Sequence, residues 1–192
     1  MRPRSILLAA TASLALPGLG LAQSAECFGR PPTITGTEAG DTLVGTPGDD
    51  VIVGLGGPDV IRGLGGLDRI CAGGGIDRVF GGPGRDSVSG DESEDHLFGG
   101  DGGDRLFGRD GMDRVSGQDG HDAITGGEGR DRLTGSSGSD TVFGNDREDI
   151  IRGKAGRDFL LGGRGRDTTN GGAGIDSCVG ERQFSCENPP DV

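Results

Sequence analysis

Residues Gly81–Ser89 read GGPGRDSVS, with glycine first and fourth, aspartate sixth and an aliphatic residue eighth. Gly126–Thr134, GGEGRDRLT, follows the same plan. The plan G-x-x-G-x-D-x-U-x, in which U is aliphatic, continues without a change of period from Gly36 to Val179. We number the positions of this nonad from one to nine, starting at the first glycine. One repeat governs most of the chain, and this predicts a stack of similar structural units.

The two glycine positions specify backbone shape. Position one is glycine in every nonad except at Ala72, and position four is glycine except at Ala39, Ser93 and Arg147. Glycine reaches positive φ and lets backbones approach closely, so glycine at two fixed places indicates a tight turn in every nonad.

Position eight indicates a strand. It is Leu, Ile or Val in every nonad except the last two, which have Thr169 and Cys178. A segment x-U-x points its side chains out, in and out, and six turn-forming residues would then reverse the chain. Two nonads therefore make one coil, and strands of successive coils stack about 4.8 Å apart. The sequence predicts an all-β fold, a right-handed parallel β-roll (β-solenoid) of about eight coils.

Position six is aspartate in all sixteen nonads, and in the predicted roll these side chains form two columns. Ionised carboxylates one coil apart repel each other, so a cation is expected between them. Oxygen ligands favour Ca²⁺, whereas Mg²⁺ needs a tighter octahedron and Zn²⁺ prefers His or Cys. Seven gaps in each column allow at most about fourteen ions. The predicted calcium ligands are Asp41, Asp50, Asp59, Asp68, Asp77, Asp86, Asp95, Asp104, Asp113, Asp122, Asp131, Asp140, Asp149, Asp158, Asp167 and Asp176.

The nonad resembles the glycine-rich repeat of the RTX, or haemolysin-type calcium-binding, family over three quarters of the chain. The resemblance implies a β-roll whose aspartates and loop carbonyls bind Ca²⁺ between loops one coil apart. It is incomplete at position two, where the family usually has glycine and this chain often does not. We expect the weakest sites at the loops of Ser93 and Arg147, and at Asp41 and Asp176, which have a neighbour on one side only.

The ends of the chain predict export. A basic start and an apolar run from Ile6 to Leu16 precede small residues, which is typical of a secretory signal peptide cleaved near residues 22–24. We predict a signal peptide at 1–24, an N-terminal cap at 25–35, the roll at 36–179 and a C-terminal cap at 180–192. The mature protein is then extracellular, without a membrane span, and folds when it meets calcium outside the cell.

Four cysteines lie near the two ends of the predicted roll. Three pairings are possible in principle, and four buried thiols are the alternative in a chain that is not secreted. A disulfide needs Cα atoms within about 7 Å, so a bridge cannot cross the length of the roll. The feasible set joins Cys27 to Cys71 and Cys178 to Cys186, and each bridge is expected to clamp a cap over an open end.

The composition argues against a catalyst and against nucleic acid as a partner. The chain has a net charge of −12, two histidines and no tyrosine or tryptophan. A basic field for nucleic acid is missing, and the aspartates recur too regularly for an acid–base pair. About ten residues separate the signal peptide from the first nonad, which leaves no room for a catalytic domain.

An alternative function is an adhesion scaffold with purely structural calcium, whose partner is a cell-surface or extracellular polymer. In this alternative, outward arginines and phenylalanines on the strands would bind an anionic polymer or surface glycan. For the arginines we favour the simpler explanation, a solvated strand face that balances the acidic loops. The predicted outward residues are Arg78, His96, Arg114, Arg132, Phe80 and Phe98 on one sheet, and Arg69, Arg105 and Phe107 on the other.

Overall fold

The computed structural model describes residues 26–180, 182–184 and 186. The signal peptide predicted at 1–24 and most of the predicted C-terminal cap lie outside the described residues. Within the described part, all regular structure is β-strand, and no helix is present that could cross a membrane.

In the described residues, eighteen strands form two parallel sheets of nine strands each. Odd-numbered strands make one sheet and even-numbered strands the other, because each nonad carries the chain across to the opposite sheet. Each strand pairs with the strand one coil later: Arg78 lies beside His96, for example, and Val79 beside Leu97. This is the predicted β-roll with two nonads in each coil. The strands are β1 Ile34–Thr35, β2 Thr42–Val44, β3 Val51–Val53, β4 Val60–Arg62, β5 Arg69–Gly74, β6 Arg78–Pro83, β7 Ser87–Glu92, β8 His96–Asp101, β9 Arg105–Asp110, β10 Arg114–Asp119, β11 Ala123–Glu128, β12 Arg132–Ser137, β13 Thr141–Asp146, β14 Ile150–Ala155, β15 Phe159–Arg164, β16 Thr168–Ala173, β17 Ser177–Val179 and β18 Arg182–Phe184.

Most strands are longer than the sequence predicts. From β5 to β16 each strand has six residues, running from position seven of one nonad to position three of the next. The loops stack in register, so backbone pairing continues into them: the Gly102 N–H donates to the Asp119 carbonyl at 2.6 Å. The expectation of three-residue strands followed by six turn residues is therefore wrong over most of the roll. The turn is confined to positions four to six.

The core is a single file of position-eight side chains between the two sheets. These side chains are buried from Ile52 to Leu160, and Thr169 and Cys178 continue the file. Partly buried Ile34 and Leu43 pack against its N-terminal end. Burial of each large aliphatic side chain contributes roughly 1.5 to 3 kcal/mol to folding.

The C-terminal disulfide closes one end of this file. Cys178 is 5% exposed in the last strand of the odd sheet, and Cys186 packs against the core beside it. Their Cα atoms are 5.8 Å apart. The bridge covers the end of the core, as predicted.

The N-terminal disulfide has the predicted pairing but a different position. Cys27 joins Cys71, with Cα atoms 5.7 Å apart, and Cys71 lies in β5, the third strand of the odd sheet, at the outward position nine. The Phe28 ring centroid lies 5.9 Å from that of Phe107 in β9. The expectation that this bridge clamps a cap over the open end is therefore wrong. It holds the N-terminal segment against the outer face of the odd sheet, because position-nine side chains point away from the core.

Candidate metal centre

The aspartates of position six stand in two columns, one along each edge of the roll. Those of the first column precede even strands and those of the second precede odd strands. All except Asp41 are buried, with at most 6% of the residue exposed. The first column is Asp41, Asp59, Asp77, Asp95, Asp113, Asp131, Asp149 and Asp167, and the second is Asp50, Asp68, Asp86, Asp104, Asp122, Asp140, Asp158 and Asp176.

One oxygen of each carboxylate from Asp59 onward is used to join neighbouring coils. The backbone N–H of Asp95 donates to Oδ1 of Asp113 at 2.9 Å, and the N–H of Asp113 donates to Oδ1 of Asp131 at the same distance. The same bond recurs from coil to coil along both columns. This series of hydrogen bonds, which we call the ladder, orients every carboxylate from Asp59 onward in the same way.

The second oxygen, Oδ2, is buried without a hydrogen-bond partner in thirteen of these carboxylates. A buried charged oxygen without a partner costs more than an ordinary lost hydrogen bond. A bound cation would supply the missing partner. The thirteen are Asp59, Asp68, Asp77, Asp86, Asp95, Asp104, Asp113, Asp122, Asp131, Asp140, Asp149, Asp158 and Asp176.

Position one is glycine because this oxygen occupies the place of a Cβ. A Cβ added to Gly63 would lie 2.3 Å from Oδ2 of Asp68 and 2.5 Å from the carbonyl oxygen of Gly81 on the next coil. A Cβ on Gly99 would lie equally close to Oδ2 of Asp104. A carboxylate oxygen and a carbonyl oxygen thus lie close together at the point where any side chain would begin.

Backbone carbonyls of positions two and four lie against the same positions of the next coil. A Cβ added to Gly82 would lie 1.9 Å from the carbonyl oxygen of Leu64, and one added to Gly84 would lie 1.7 Å from that of Gly66. The stacked loops are therefore lined by backbone carbonyl oxygens in addition to the carboxylates. This all-oxygen set fits Ca²⁺, which takes six to eight oxygen ligands.

Side chains alone do not form a metal cluster in this part of the molecule. Among the described residues, no three His, Cys, Asp or Glu side chains lie close enough to hold a metal ion together. A cation between the loops would therefore take many of its ligands from the main chain.

The first two aspartates differ from the rest, which the sequence reasoning missed. Thr37 donates to Oδ2 of Asp41 through its backbone N–H at 2.7 Å and its hydroxyl at 2.8 Å. Thr46 makes the same pair of bonds to Asp50, at 2.6 and 2.9 Å. In the sequence, these two nonads are the only ones with a threonine at position two, four residues before the aspartate. In these two loops, hydrogen bonds from threonine satisfy the Oδ2 atom, which lacks a hydrogen-bond partner in most later coils.

Three departures from the repeat change the loops without moving the aspartates. Ser93 and Arg147 stand at position four with φ of 83° and 80°, a region that strains non-glycine residues. Asp95 and Asp149 nevertheless keep their places in the ladder. Ala72 puts a methyl group at position one, where the other nonads have glycine beside the aspartate oxygen, so we expect weak binding there. The weak binding predicted for the Ser93 and Arg147 loops stays a prediction.

Burial of the carboxylates raises their pKa. Desolvation raises the pKa of Asp95 to about 8, the hydrogen bond from Asp77 opposes the shift, and the charges of Asp77, Asp113 and Asp91 add to it. Desolvation likewise raises the pKa to about 7 at Asp86, Asp113, Asp140 and Asp149, and to about 6 at Asp59, Asp104 and Asp131. The ionised columns are unfavourable by themselves and would be stabilised by a divalent cation.

Comparison with protein families agrees with this geometry. The model described as RTX calcium-binding nonapeptide repeat (4 copies) matches residues 35–70, 44–79, 72–106, 107–142 and 143–178. The chain belongs to the RTX repeat family. It is a calcium-binding RTX β-roll protein, and the aspartate columns of its repeats are consistent with Ca²⁺ binding. A search of curated proteins found no significant match.

Proposed function

We propose that this RTX protein is secreted, that extracellular Ca²⁺ bound between its stacked loops folds it, and that it carries no catalytic site. The observation that carries the proposal is the row of buried, unpartnered Oδ2 atoms facing loop carbonyls. Without a cation, these carboxylates oppose folding of a roll whose core is one side chain wide. Because the site exists only in the folded roll, the free energy of calcium binding would then contribute directly to the free energy of folding. Calcium supplies positive charge and a flexible coordination sphere, while the chain supplies oriented oxygens.

A circular dichroism titration tests the coupling between calcium and folding. The mature protein in metal-free buffer is titrated with CaCl₂ to about 10 mM, beyond the affinity range of extracellular calcium modules. We expect a cooperative change from coil to β-structure that MgCl₂ does not reproduce, and loss of trypsin resistance in chelator. The titration is done near pH 8, where the buried carboxylates are ionised, and a spectrum already rich in β-structure without metal at that pH would contradict the proposal.

A pair of variants tests the ligand assignment. Asp113→Asn keeps the size of the side chain but removes the charge from the middle of the first column. We expect it to raise the calcium midpoint severalfold and to remove at least one ion in equilibrium dialysis. Asp119→Asn makes the same charge change at an exposed position outside the columns and should have little effect. Equal effects of the two variants would assign calcium binding to net charge instead.

Secretion is supported by the sequence of residues 1–24 and by the two disulfides, which persist in oxidising compartments. Mass spectrometry of protein recovered outside the cytoplasm tests it. A mature N-terminus near residues 22–24 is expected, and an intact Met1 on protein confined to the cytoplasm would contradict secretion.

The absence of a catalytic site is supported by residue chemistry. The chain has two histidines and no tyrosine or tryptophan, and its buried acids repeat identically from coil to coil. A screen of the folded roll against ester, peptide and glycoside substrates should show no turnover. Turnover that disappears in a single-residue variant would overturn this proposal.

A further inference from the structure

One face of the roll carries a concentration of positive charge. Positions seven and nine of the even strands point outward, and from β2 to β16 they hold five arginines, one histidine and no carboxylate. In a chain with a net charge of −12, this is a marked separation of charge. We call this surface the basic face. Its cationic and titratable residues are Arg62, Arg78, His96, Arg114, Arg132 and Arg152.

Most of these arginines are not neutralised within the protein. Arg114 pairs with Glu94, but no other arginine of the basic face lies within ion-pair distance of a described carboxylate. Burial and the charges of Arg114 and Arg78 lower the pKa of His96 below its usual value, against the opposing effect of Glu94. The face therefore keeps positive charge that an external anion can satisfy.

Two aromatic rings lie among these charges and leave one ring face open. Phe80 and Phe98 stack with centroids 5.0 Å apart and planes 9° apart. The Arg62 guanidinium lies 5.3 Å from the Phe80 centroid, on the strand before. On the strand after Phe98, the residue in register is Ser116. Serine is much shorter than phenylalanine, so the aromatic stack does not continue from Phe98 onto this strand.

We propose that the basic face binds a linear acidic polysaccharide. A sugar ring would pack on Phe98 above Ser116. Acidic groups of the same polymer would meet Arg78 on the strand before Phe98, and Arg132 and Arg152 on the successive strands that follow Ser116. Those strands are about 4.8 Å apart, comparable to the length of one sugar unit along an extended polysaccharide. Arginine suits this role because its planar fork binds carboxylate and sulfate oxygens in pairs. The inference rests on the proposed function, since the face exists only in the folded roll.

Single-stranded nucleic acid fits the face less well. Proteins that bind it provide successive aromatic platforms for successive bases. Here Phe80 is covered by Arg62 and Phe98, so one platform remains. A polysaccharide needs only one stacking position when the other contacts are ionic.

Matched double variants test the proposal. Arg78→Ser/Arg132→Ser removes two charges from the basic face, and Arg69→Ser/Arg105→Ser removes two from the same nonad position on the odd sheet. Serine already occupies this position at Ser87, so both should fold. Affinity for immobilised chondroitin sulfate is measured by biosensor in CaCl₂, with neutral dextran and oligothymidylate as competitors. We expect the first variant to weaken binding about tenfold or more and the second to change it less than about twofold.

The aromatic contact is tested separately. Phe98→Ser should weaken binding severalfold without changing its salt dependence, whereas Phe143→Ser on the odd sheet should not weaken it. Equal losses in the two arginine variants, or unchanged affinity in both, would overturn the proposal. Stronger competition by oligothymidylate than by soluble chondroitin sulfate would overturn it in favour of nucleic acid.

Circular dichroism in the same buffers separates this proposal from the calcium proposal. If the roll is β-rich without metal, calcium-driven folding fails, and the variants still test the basic face in metal-free buffer. If calcium folds the roll and chondroitin sulfate does not bind, the polysaccharide proposal alone fails.

Discussion

At the scale of single residues, the roll depends on where side chains are excluded. Position one must lack a Cβ because the aspartate oxygen five residues later occupies that direction. Position eight must be apolar because it faces the other sheet across a core one residue wide. These two requirements explain why glycine and an aliphatic residue recur while positions three and five vary.

Gly117→Ala tests the first requirement. The added Cβ would lie 2.0 Å from Oδ2 of Asp122, so the carboxylate must move. We expect a destabilisation of about 1 to 3 kcal/mol and a higher calcium midpoint, measured by urea unfolding and calcium titration. Gly74→Ala is the control, because its Cβ would meet nothing closer than the Glu92 Oε2 atom at 3.9 Å. Similar losses in the two variants would mean that glycine acts through backbone flexibility instead.

Thr169→Val tests the second requirement. Thr169 is fully buried, and its hydroxyl has no hydrogen-bond partner among the described residues. Valine has the same shape without the hydroxyl, so we expect stabilisation by about 1 kcal/mol in thermal or urea unfolding. Thr168→Val, at the neighbouring outward position, should change stability little. A less stable Thr169→Val protein would show that the hydroxyl has a partner in solution.

At the scale of the elements, the aspartates within one column are coupled, because each is hydrogen-bonded to the aspartate of the next coil. Each carboxylate from Asp59 onward accepts a hydrogen bond from the coil before it, and thirteen of these carboxylates have a second oxygen without a hydrogen-bond partner. The ladder holds this geometry even where position four departs from glycine, at Ser93 and Arg147. Loss of one carboxylate should therefore disturb its neighbours in the same column.

The columns also predict an acid dependence of the metal-free roll. Folding raises the pKa of Asp95 from 3.8 to about 8 and that of Asp113 to about 7. Between those values the folded state binds more protons than the unfolded state, so stability falls as pH rises. In rigorously metal-free buffer we expect most β-structure near pH 4 and progressive loss towards pH 8, followed by circular dichroism. Saturating calcium should reverse the trend, because protons and Ca²⁺ compete for the same oxygens. A metal-free signal that does not change between pH 4 and pH 8 would contradict the assigned shifts.

At the scale of the whole molecule, the roll is a one-dimensional stack in which each coil contacts only its neighbours. Such stacks transmit a local change weakly along their length. The two disulfides act at different places in this stack. One closes the C-terminal end of the core, and the other fixes the N-terminal segment on an outer face.

Removal of each disulfide should therefore have a local effect. In calcium, Cys178→Ser/Cys186→Ser should speed hydrogen exchange in β15 to β17, and Cys27→Ser/Cys71→Ser should speed it in residues 26–30. Each loss should cost about 2 to 4 kcal/mol. Hydrogen exchange with mass spectrometry measures both. Faster exchange throughout all coils in either variant would show that the roll unfolds as one cooperative unit.

The sequence by itself determined the period, the two sheets, the aspartate columns, the inward aliphatic file and the cysteine pairs. These follow from a local rule that is repeated in every coil, so one nonad predicts the others. Only the tertiary structure decided that strands extend into the loops, that Thr37 and Thr46 occupy the first two carboxylates, and that Cys27 lies on an outer face. The physical reason is that none of these features is specified by the period. Strand extension depends on contacts between coils eighteen residues apart, the threonine bonds depend on a variable position in two loops, and Cys27 belongs to a terminal segment outside the repeat.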